Sequence, residues 1–182
     1  MRFFNGLSAE SRPVHGDAMD EYQDEIFELD AIDAQLLNEL QDDAKISLKR
    51  VGEKVGLSAP AVMERVRKME QAGVIVGYHA QIDARRVGID VAAFIGVTIS
   101  DPKKVDAFEQ WVDETPSVLE MHHVTGGHTL LIKVKVRNTS ALEHLIRRIR
   151  ELEGVSHTET MVILSTHAER IPVRLELPDD EA

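Results

Sequence analysis

The stretch LKRVGEKVGLSAPAVMERVRKMEQ, Leu48 to Gln71, predicts two short helices joined by a tight turn. Apolar residues recur at helical spacing in both halves: Val51 and Val55, then Val62, Val66 and Met69. Gly56 can take the left-handed conformation that ends a helix, and Ser58 suits the N-cap of the next helix. A helix, a glycine-containing turn and a second helix are typical of a helix-turn-helix, whose second helix lies in the major groove of DNA.

The predicted contacts with DNA form two groups. Contacts to the DNA backbone provide most of the affinity; we assign them to Ser58 with its neighbouring free amides, and to the cations Lys49, Arg50, Arg67 and Lys68. Four apolar residues would face the groove and favour shape over hydrogen-bonded readout: Ala59, Pro60, Ala61 and Met63. Arg65 is the candidate for a polar contact to a base or phosphate. For each arginine the alternative is an ordinary salt bridge.

The distribution of charge supports this prediction although the chain carries a net charge of −11. Residues 45–86 hold nine lysines and arginines and four acids, whereas residues 1–30 hold two arginines and eight acids. The basic segment therefore coincides with the predicted helix-turn-helix, as expected of a protein that binds double-stranded DNA.

Composition restricts the class of protein further. The 182 residues, 43% of them hydrophobic, suffice for one or two small domains. The absence of cysteine excludes disulfides and thiolate metal sites. The N-terminus does not resemble a signal peptide, and no run approaches the roughly 20 apolar residues of a membrane span. We therefore expect a cytoplasmic protein with no membrane partner.

The segments before the helix-turn-helix predict an extension and a first helix. Residues 1–28 are polar and acidic, which predicts a disordered extension; it is either a solvated tail or an arm that competes with DNA for the basic surface. Leu29 to Asp43 has apolar residues at helical spacing, with Asp30 as the N-cap and Asp33 in the first turn. The predicted DNA-binding domain is 29–76.

After Gly73 the pattern changes to one typical of strands. Val74 to Ile82 is rich in β-branched residues and predicts a wing or linker strand, with linker and turn over 77–89. Residues 90–177 alternate as β-α-β-β-α-β, the ferredoxin-like order, and 178–182 form an acidic tail. The predicted strands are 91–100, 118–125, 128–136 and 155–165; the predicted helices are 102–115 and 139–152. Two helices cover only one face of such a sheet, so we expect the other face to form a dimer.

This arrangement resembles the Lrp/AsnC family, the feast/famine transcription regulators. The resemblance covers Leu29 to about Leu177 and depends on spaced motifs in both halves: Leu29-Asp30, Leu57-Ser58, Glu70-x-x-Gly73-x-Ile75-x-Gly77-Tyr78, Val124-Thr125-Gly126 and Thr158-x-Thr160. It implies an α+β protein with an N-terminal winged helix-turn-helix and a C-terminal ferredoxin-like (RAM/ACT-like) domain. It also implies a homodimer that assembles into tetramers or octamers, operator DNA as partner, and a small effector, usually an amino acid.

The resemblance also implies where the effector binds. The residues assigned to it are Val124, Thr125, Gly126, Gly127, His128, Thr129, Thr158 and Thr160. The family often has an acid where this chain has Thr129, and a hydroxyl offers no charge to an ammonium group. Either an anionic or aromatic ligand binds beside His128, or the segment is only a hairpin turn without effector function.

Other functions have less support from the sequence. No histidine pair has the helical spacing of a metal motif, so we predict no metal site and no cofactor. Sirohaem decarboxylases resemble the same family but tend to carry an arginine-rich segment where this chain has residues 75–78, and no other catalytic motif is present. We therefore predict no enzyme activity and no catalytic residue. A ligand-sensing module without DNA binding is the remaining alternative.

Overall fold

The computed structural model describes residues 26–169 and 172–175, which fold as two compact units. The described residues of the helical unit are 26–78 and 172–175, and those of the sheet unit are 79–169. The predicted acidic extension and acidic tail lie almost wholly outside the described residues. Among the described residues, no helix is long and apolar enough to cross a membrane.

Three helices form the helical unit: α1 (Ala31–Asp42), α2 (Leu48–Val55) and α3 (Ala59–Gln71). Asp30 and Ser58 are the N-caps predicted for α1 and α3, and Ser47 caps α2; the side chain of each accepts a backbone N–H from the first turn. The apolar stripes meet in one core: Leu36, Leu37, Val51, Val62, Val66 and Met69. The predicted three-helix arrangement is confirmed, with α1 covering the other two helices.

The start of α1 is fixed by a reciprocal pair of hydrogen bonds. The carboxylate of Asp30 accepts the backbone N–H of Asp33 at 2.7 Å, and the carboxylate of Asp33 accepts the backbone N–H of Asp30 at 3.4 Å. This capping box satisfies two amide groups that would otherwise lack an intrahelical partner. Asp33 is buried despite its charge because its two oxygens have partners.

The predicted wing or linker strand over Val74–Ile82 is wrong for the described chain, since residues 72–84 contain neither helix nor strand. β-branched composition favours a strand only where a neighbour pairs its backbone groups, and the described chain offers none here. The first residues instead fold back on α3. The N–H groups of Val74 and Ile75 both bond to the carbonyl of Met69, and their side chains pack on the helical core.

The sheet unit has the predicted β-α-β-β-α-β order. Its strands are β1 (Val91–Ile99), β2 (Val118–His123), β3 (Leu130–Val136) and β4 (Val155–Val162); its helices are α4 (Val105–Asp113), after a short 3-10 turn at Pro102–Lys104, and α5 (Thr139–Glu151). The strands pair antiparallel in the order β2-β3-β1-β4. The ferredoxin-like prediction is confirmed, with element ends shifted by up to three residues.

The two faces of this sheet differ. Alternate residues of β1 and β3 are buried under α4 and α5: Ala93, Ile95, Val97, Ile99, Leu130, Ile132, Val134 and Val136. The opposite, open face carries Phe94, Leu131 and Met161, together with a charged group in which Lys133 pairs with Glu120 and Glu169. The chain in isolation therefore leaves one face of the sheet uncovered by helices, as the sequence predicts.

The observed end of the sheet unit differs from the domain boundary predicted at residue 177. The described segment 172–175 belongs to the helical unit, where Leu175 packs against the helical core. Polar groups on α1 hold its backbone. A boundary drawn from local pattern misses this contact because the partners are more than 130 residues apart in sequence.

Candidate nucleic-acid interface and effector region

The turn before α3 depends on two glycines. Gly56 ends α2 in the left-handed conformation (φ 73°), as predicted. Gly52, inside α2, allows the turn to close against the helix: the N–H of Leu57 bonds to the Gly52 carbonyl at 2.9 Å, and a Cβ on Gly52 would lie 2.4 Å from the carbonyl oxygen of Leu57. Together they set where α3 begins relative to α2.

α3 separates its residues into a buried stripe and an exposed face. Val62, Val66 and Met69 are buried, as the spacing predicts. Of the residues predicted to face the groove, Pro60 and Met63 are exposed, whereas Ala59 and Ala61 are half-buried. Arg67 is exposed one turn after Met63. The exposed row therefore begins with apolar residues at the helix N-terminus and continues with positive charge.

Arg65 contacts the protein itself. Its Nη1 lies 2.7 Å from Oδ2 of Asp30 and 2.8 Å from Oδ1 of Asp33, and its side chain is only one-third exposed. The hydrogen bonds to these carboxylates raise the pKa of Arg65. The pKa of Asp30 is lowered first by the Asp33 backbone N–H and then by Arg65. This geometry opposes the predicted DNA contact of Arg65 and gives the residue a role in joining α3 to α1.

The other predicted phosphate contacts are at the surface. Lys49, Arg50, Arg67 and Lys68 are all exposed, and Lys49 has only a 4.0 Å pairing with Glu53. Lys68 lies over the ring of Phe27 with its Nζ 5.3 Å from the ring centroid, which orients its ammonium group. The Ser58 hydroxyl accepts the N–H of Ala61 at 3.4 Å, which leaves its own hydrogen for donation.

One exposed acid on α3, Glu64, is not among the predicted DNA contacts. Glu64 follows Met63 directly and is exposed on the same side of the helix as Pro60 and Arg67, three or four residues away. A carboxylate in a major groove can accept a hydrogen bond from the N4 amino group of cytosine. In the charge balance of residues 45–86, Glu64 counts only as one negative charge against the basic residues, so its position on the exposed side of α3 does not show.

In the predicted effector region, His128 lies on the open face of the sheet, directly over Gly96. A Cβ on Gly96 would lie 2.4 Å from the Cδ2 of His128, so the absence of a side chain there makes room for the imidazole. Nε2 of His128 lies 2.8 Å from Oε2 of Glu159, and its Nδ1 lies 3.4 Å from the Thr98 hydroxyl. The imidazole ring is nearly parallel to that of His157, with the ring centroids 6.2 Å apart.

The predicted effector residues do not form one site in the described chain. The Thr129 hydroxyl accepts the N–H of Ile99 at 3.1 Å, so it extends the pairing of β1 with β3. Thr158 is buried on the helix-covered face, where its hydroxyl accepts from Nε of Arg150 at 2.8 Å. Thr160 pairs with Ile95 and shares that face. Because strand residues alternate, these threonines and His128 lie on opposite sides of the sheet, which the motif alone could not reveal.

The remaining predicted residues stay near His128. Val124 closes the hairpin through its N–H, which bonds to the carbonyl of Thr129 at 3.2 Å. The Gly127 carbonyl accepts from the hydroxyl of Thr98 at 3.4 Å. Thr125, Gly126 and Gly127 are exposed at the tip. The hairpin therefore presents exposed backbone next to the His128–Glu159 pair.

The histidines and the groove on the open face bear on the prediction of no metal site and on where a ligand could bind. Across residues 26–169 and 172–175, no three histidines or acids are grouped to hold a metal ion. His122 and His123 lie on opposite faces, beside Glu120 and Glu109 respectively, as alternation predicts. A groove of about 1000 Å³ lies on the open face, away from the hairpin, and includes Phe94, Lys133 and Lys135.

Comparison with known proteins matches both units. The model of the AsnC-type helix-turn-helix domain matches residues 29–70, and the model of the Lrp/AsnC ligand binding domain matches residues 92–173. The HTH-type transcriptional regulator FL11 of Pyrococcus horikoshii is 30% identical over 148 residues, which are 80% of this chain and 97% of that protein.

Two more relatives extend the comparison. The leucine-responsive regulatory protein of Rhizobium meliloti is 36% identical over 141 residues, covering 76% of this chain and 89% of that protein. A solved structure of a feast or famine regulatory protein from M. tuberculosis, complexed with L-methionine, is 33% identical with a TM-score of 0.76, and covers 81% of this chain and all of that one. The chain belongs to the Lrp/AsnC family of DNA-binding transcriptional regulators.

Proposed function

We propose that this regulator reads its operator through the exposed row of α3, with phosphate contacts from both ends of the helix-turn-helix. The observation that carries the proposal is the separation of α3 into a buried stripe and an exposed row of Pro60, Met63, Glu64 and Arg67. The apolar tip favours methyl contacts and DNA shape, Glu64 supplies the polar contact that depends on sequence, and Arg67 contacts a phosphate.

Phosphate contacts in this proposal come from the edges of the row. Ser58 donates its hydroxyl hydrogen together with the free amides that start α3, where the helix dipole favours an anion. Lys49, Arg50, Arg67 and Lys68 supply exposed positive charge. Arg65 is excluded from this set because both of its nearby acids hold it against α1.

The effector proposal is a small molecule of the amino-acid class, bound beside the hairpin tip. A related protein was solved with L-methionine, which supports this class of ligand. In this chain the groups offered are the exposed amides of residues 125–127 and the His128–Glu159 pair. Glu159 supplies a carboxylate for a ligand ammonium group, which the hydroxyl of Thr129 cannot do.

We further propose a homodimer formed by the open faces of two sheets, with tetramers or octamers built from it. The apolar side chains there include Phe94, Leu131 and the half-exposed Met161, which would be buried by a second copy. A dimer would also place two copies of α3 at a fixed spacing, which matches two half-sites of DNA.

The test is a fluorescence anisotropy titration of the purified chain against the DNA upstream of its own gene, at several salt concentrations. We expect saturable binding that weakens steeply as salt rises, and that tightens or loosens when amino acids are added. Absence of binding at low salt, with an amino acid still raising the melting temperature, would instead favour a sensor that does not bind DNA.

A further inference from the structure

Two amide side chains on α1 hold the C-terminal segment by its backbone. Nδ2 of Asn38 donates to the carbonyl of Leu175 at 3.0 Å, and its Oδ1 accepts the N–H of the same residue at 3.2 Å. Gln41, one turn later, does the same with Val173: Nε2 donates to the carbonyl at 2.9 Å, and Oε1 accepts the N–H at 2.7 Å. Each amide therefore pairs with one residue as a neighbouring strand would.

The spacing of these contacts indicates recognition of an extended chain. Residues 173 and 175 are two apart, so their backbone groups point to the same side of an extended segment. Asn38 and Gln41 are three apart, so both lie on one face of α1. The two side-chain amides of α1 therefore form a ladder of hydrogen bonds with the backbone of residues 173 and 175. Because these bonds involve only backbone groups of the segment, they depend little on its sequence.

Side chains of the segment add selectivity to this ladder. Leu175 packs against the helical core, while Val173 is largely exposed. The guanidinium of Arg174, between them, pairs with the carboxylate of Asp42; one of the two bonds, from Nη1 to Oδ2, is 3.1 Å long. The pairing raises the pKa of Arg174 and lowers that of Asp42. The apolar side chain of Leu175 and the charge of Arg174 thus give selectivity for this segment, while the hydrogen bonds from α1 hold its backbone.

We propose that α1 carries a peptide-docking site and that residues 173–175 of this chain are its removable ligand. The site takes an extended peptide with a basic residue followed by an aliphatic one. The three-helix core has its own capped helices and its own buried residues, with Leu175 only at its edge, so the segment can leave without opening it.

The test uses the full-length chain and a fluorescein-labelled peptide of residues 170–178. In the double variant R174E, L175D the chain's own segment is disabled, so we expect saturable peptide binding by fluorescence anisotropy. The intact chain should bind the same peptide at least tenfold more weakly, because its site is occupied intramolecularly. Adding Asn38→Leu and Gln41→Leu to the double variant should reduce binding at least tenfold.

Modified peptides separate docking from a folding effect. N-methylation at Val173 or Leu175 removes an N–H that the amides of α1 accept, so we expect at least tenfold weaker binding. N-methylation at Arg174 is the matched control and should preserve binding within threefold. No binding to the double variant, or equal binding of all three methylated peptides, would overturn the proposal. Neither outcome depends on DNA or effector, so failure here is distinguishable from failure of the proposed function.

Discussion

Nη1 of Arg65, on α3, lies 2.7 Å from Oδ2 of Asp30, the N-cap of α1. The same nitrogen reaches Asp33, the other member of the capping box, so one guanidinium joins α3 to the start of α1. A residue that looks like a DNA contact in the sequence therefore stabilises the helical unit.

We expect Arg65→Ala to destabilise the protein by roughly 1–2 kcal/mol, because a charge-assisted hydrogen bond is lost and Asp33 is left buried without its cation. Part of the interaction is exposed to solvent, which keeps the loss moderate. Urea unfolding would measure it, with Arg67→Ala as the control that leaves stability unchanged. If Arg65→Ala leaves stability unchanged but loses affinity for DNA, Arg65 contacts DNA and does not stabilise the helical unit.

Gly52 and Gly56 should respond differently to alanine. Alanine normally stabilises a helix interior relative to glycine, but a Cβ at Gly52 would lie 2.4 Å from the carbonyl oxygen of Leu57. Gly52→Ala should therefore cost about 2 kcal/mol or more, because backbone must move. A Cβ at Gly56 would have no atom within 4 Å, so Gly56→Ala should lower the free energy of unfolding by about 1–2 kcal/mol through the left-handed backbone conformation alone. Thermal unfolding of both variants checks the order, and equal or reversed losses would contradict the close approach.

Most of the fold could be predicted because its signals are local. Asp30 and Ser58 cap helices through side chains that reach their own first turns, and alternation in β3 shows directly which residues are buried. The strand over Val74–Ile82 could not be judged in this way, because pairing depends on a partner that no local pattern contains. The docking of residues 173–175 on α1 was missed for the same reason.

The candidate sites were less predictable, since they depend on which way side chains point across the fold. The direction of Arg65 depends on Asp30 and Asp33 at the start of α1, 35 and 32 residues earlier. Whether Thr158 and His128 share a face depends on strand register, and His128 fits only because Gly96 lies beneath it. Helical spacing, in contrast, already showed which side of α3 is exposed.

Arg67→Ala should weaken operator binding several-fold. Loss of one phosphate contact should also reduce the slope of log affinity against log salt by about 0.9. Arg147→Ala is the matched control, because Arg147 is an exposed arginine on α5 that pairs with Glu143 in the sheet unit. Anisotropy titrations at four salt concentrations measure both quantities. An identical salt slope for Arg67→Ala and the unaltered protein would exclude the phosphate contact.

Glu64→Ala should relax sequence preference while leaving affinity for non-specific DNA the same or slightly higher. The carboxylate is expected to accept from cytosine, and its removal should reduce discrimination at one base pair by roughly 1–3 kcal/mol. Selection from randomised operators by both proteins would reveal the position concerned. Glu143→Ala, on the exposed surface of α5, should leave the selected sequence unaltered. If Glu64→Ala selects the same operator with equal stringency, Glu64 does not read a base.

The titration of Tyr78 tests the environment of its hydroxyl group. Tyr78 is 40% exposed, and partial desolvation, followed by the hydrogen bond from its hydroxyl to Glu70 at 3.0 Å, raises the pKa of Tyr78 to about 12. The chain has two tyrosines, so in Tyr22→Phe the absorbance change near 295 nm reports Tyr78 alone. We expect its midpoint near 12, measured within seconds of a pH jump while circular dichroism shows the chain still folded.

The raised pKa also predicts how stability depends on pH. The folded state holds its tyrosine proton more tightly than the unfolded chain, whose tyrosine titrates near 10. The stabilisation is therefore complete below pH 10 and is lost as pH rises through 12. Glu70→Ala should lower the midpoint only part of the way, because partial desolvation of Tyr78 is the larger cause of the raised pKa and remains. A midpoint near 10 in the folded Tyr22→Phe protein would show that the Tyr78 hydroxyl is neither desolvated nor bonded to Glu70 as described.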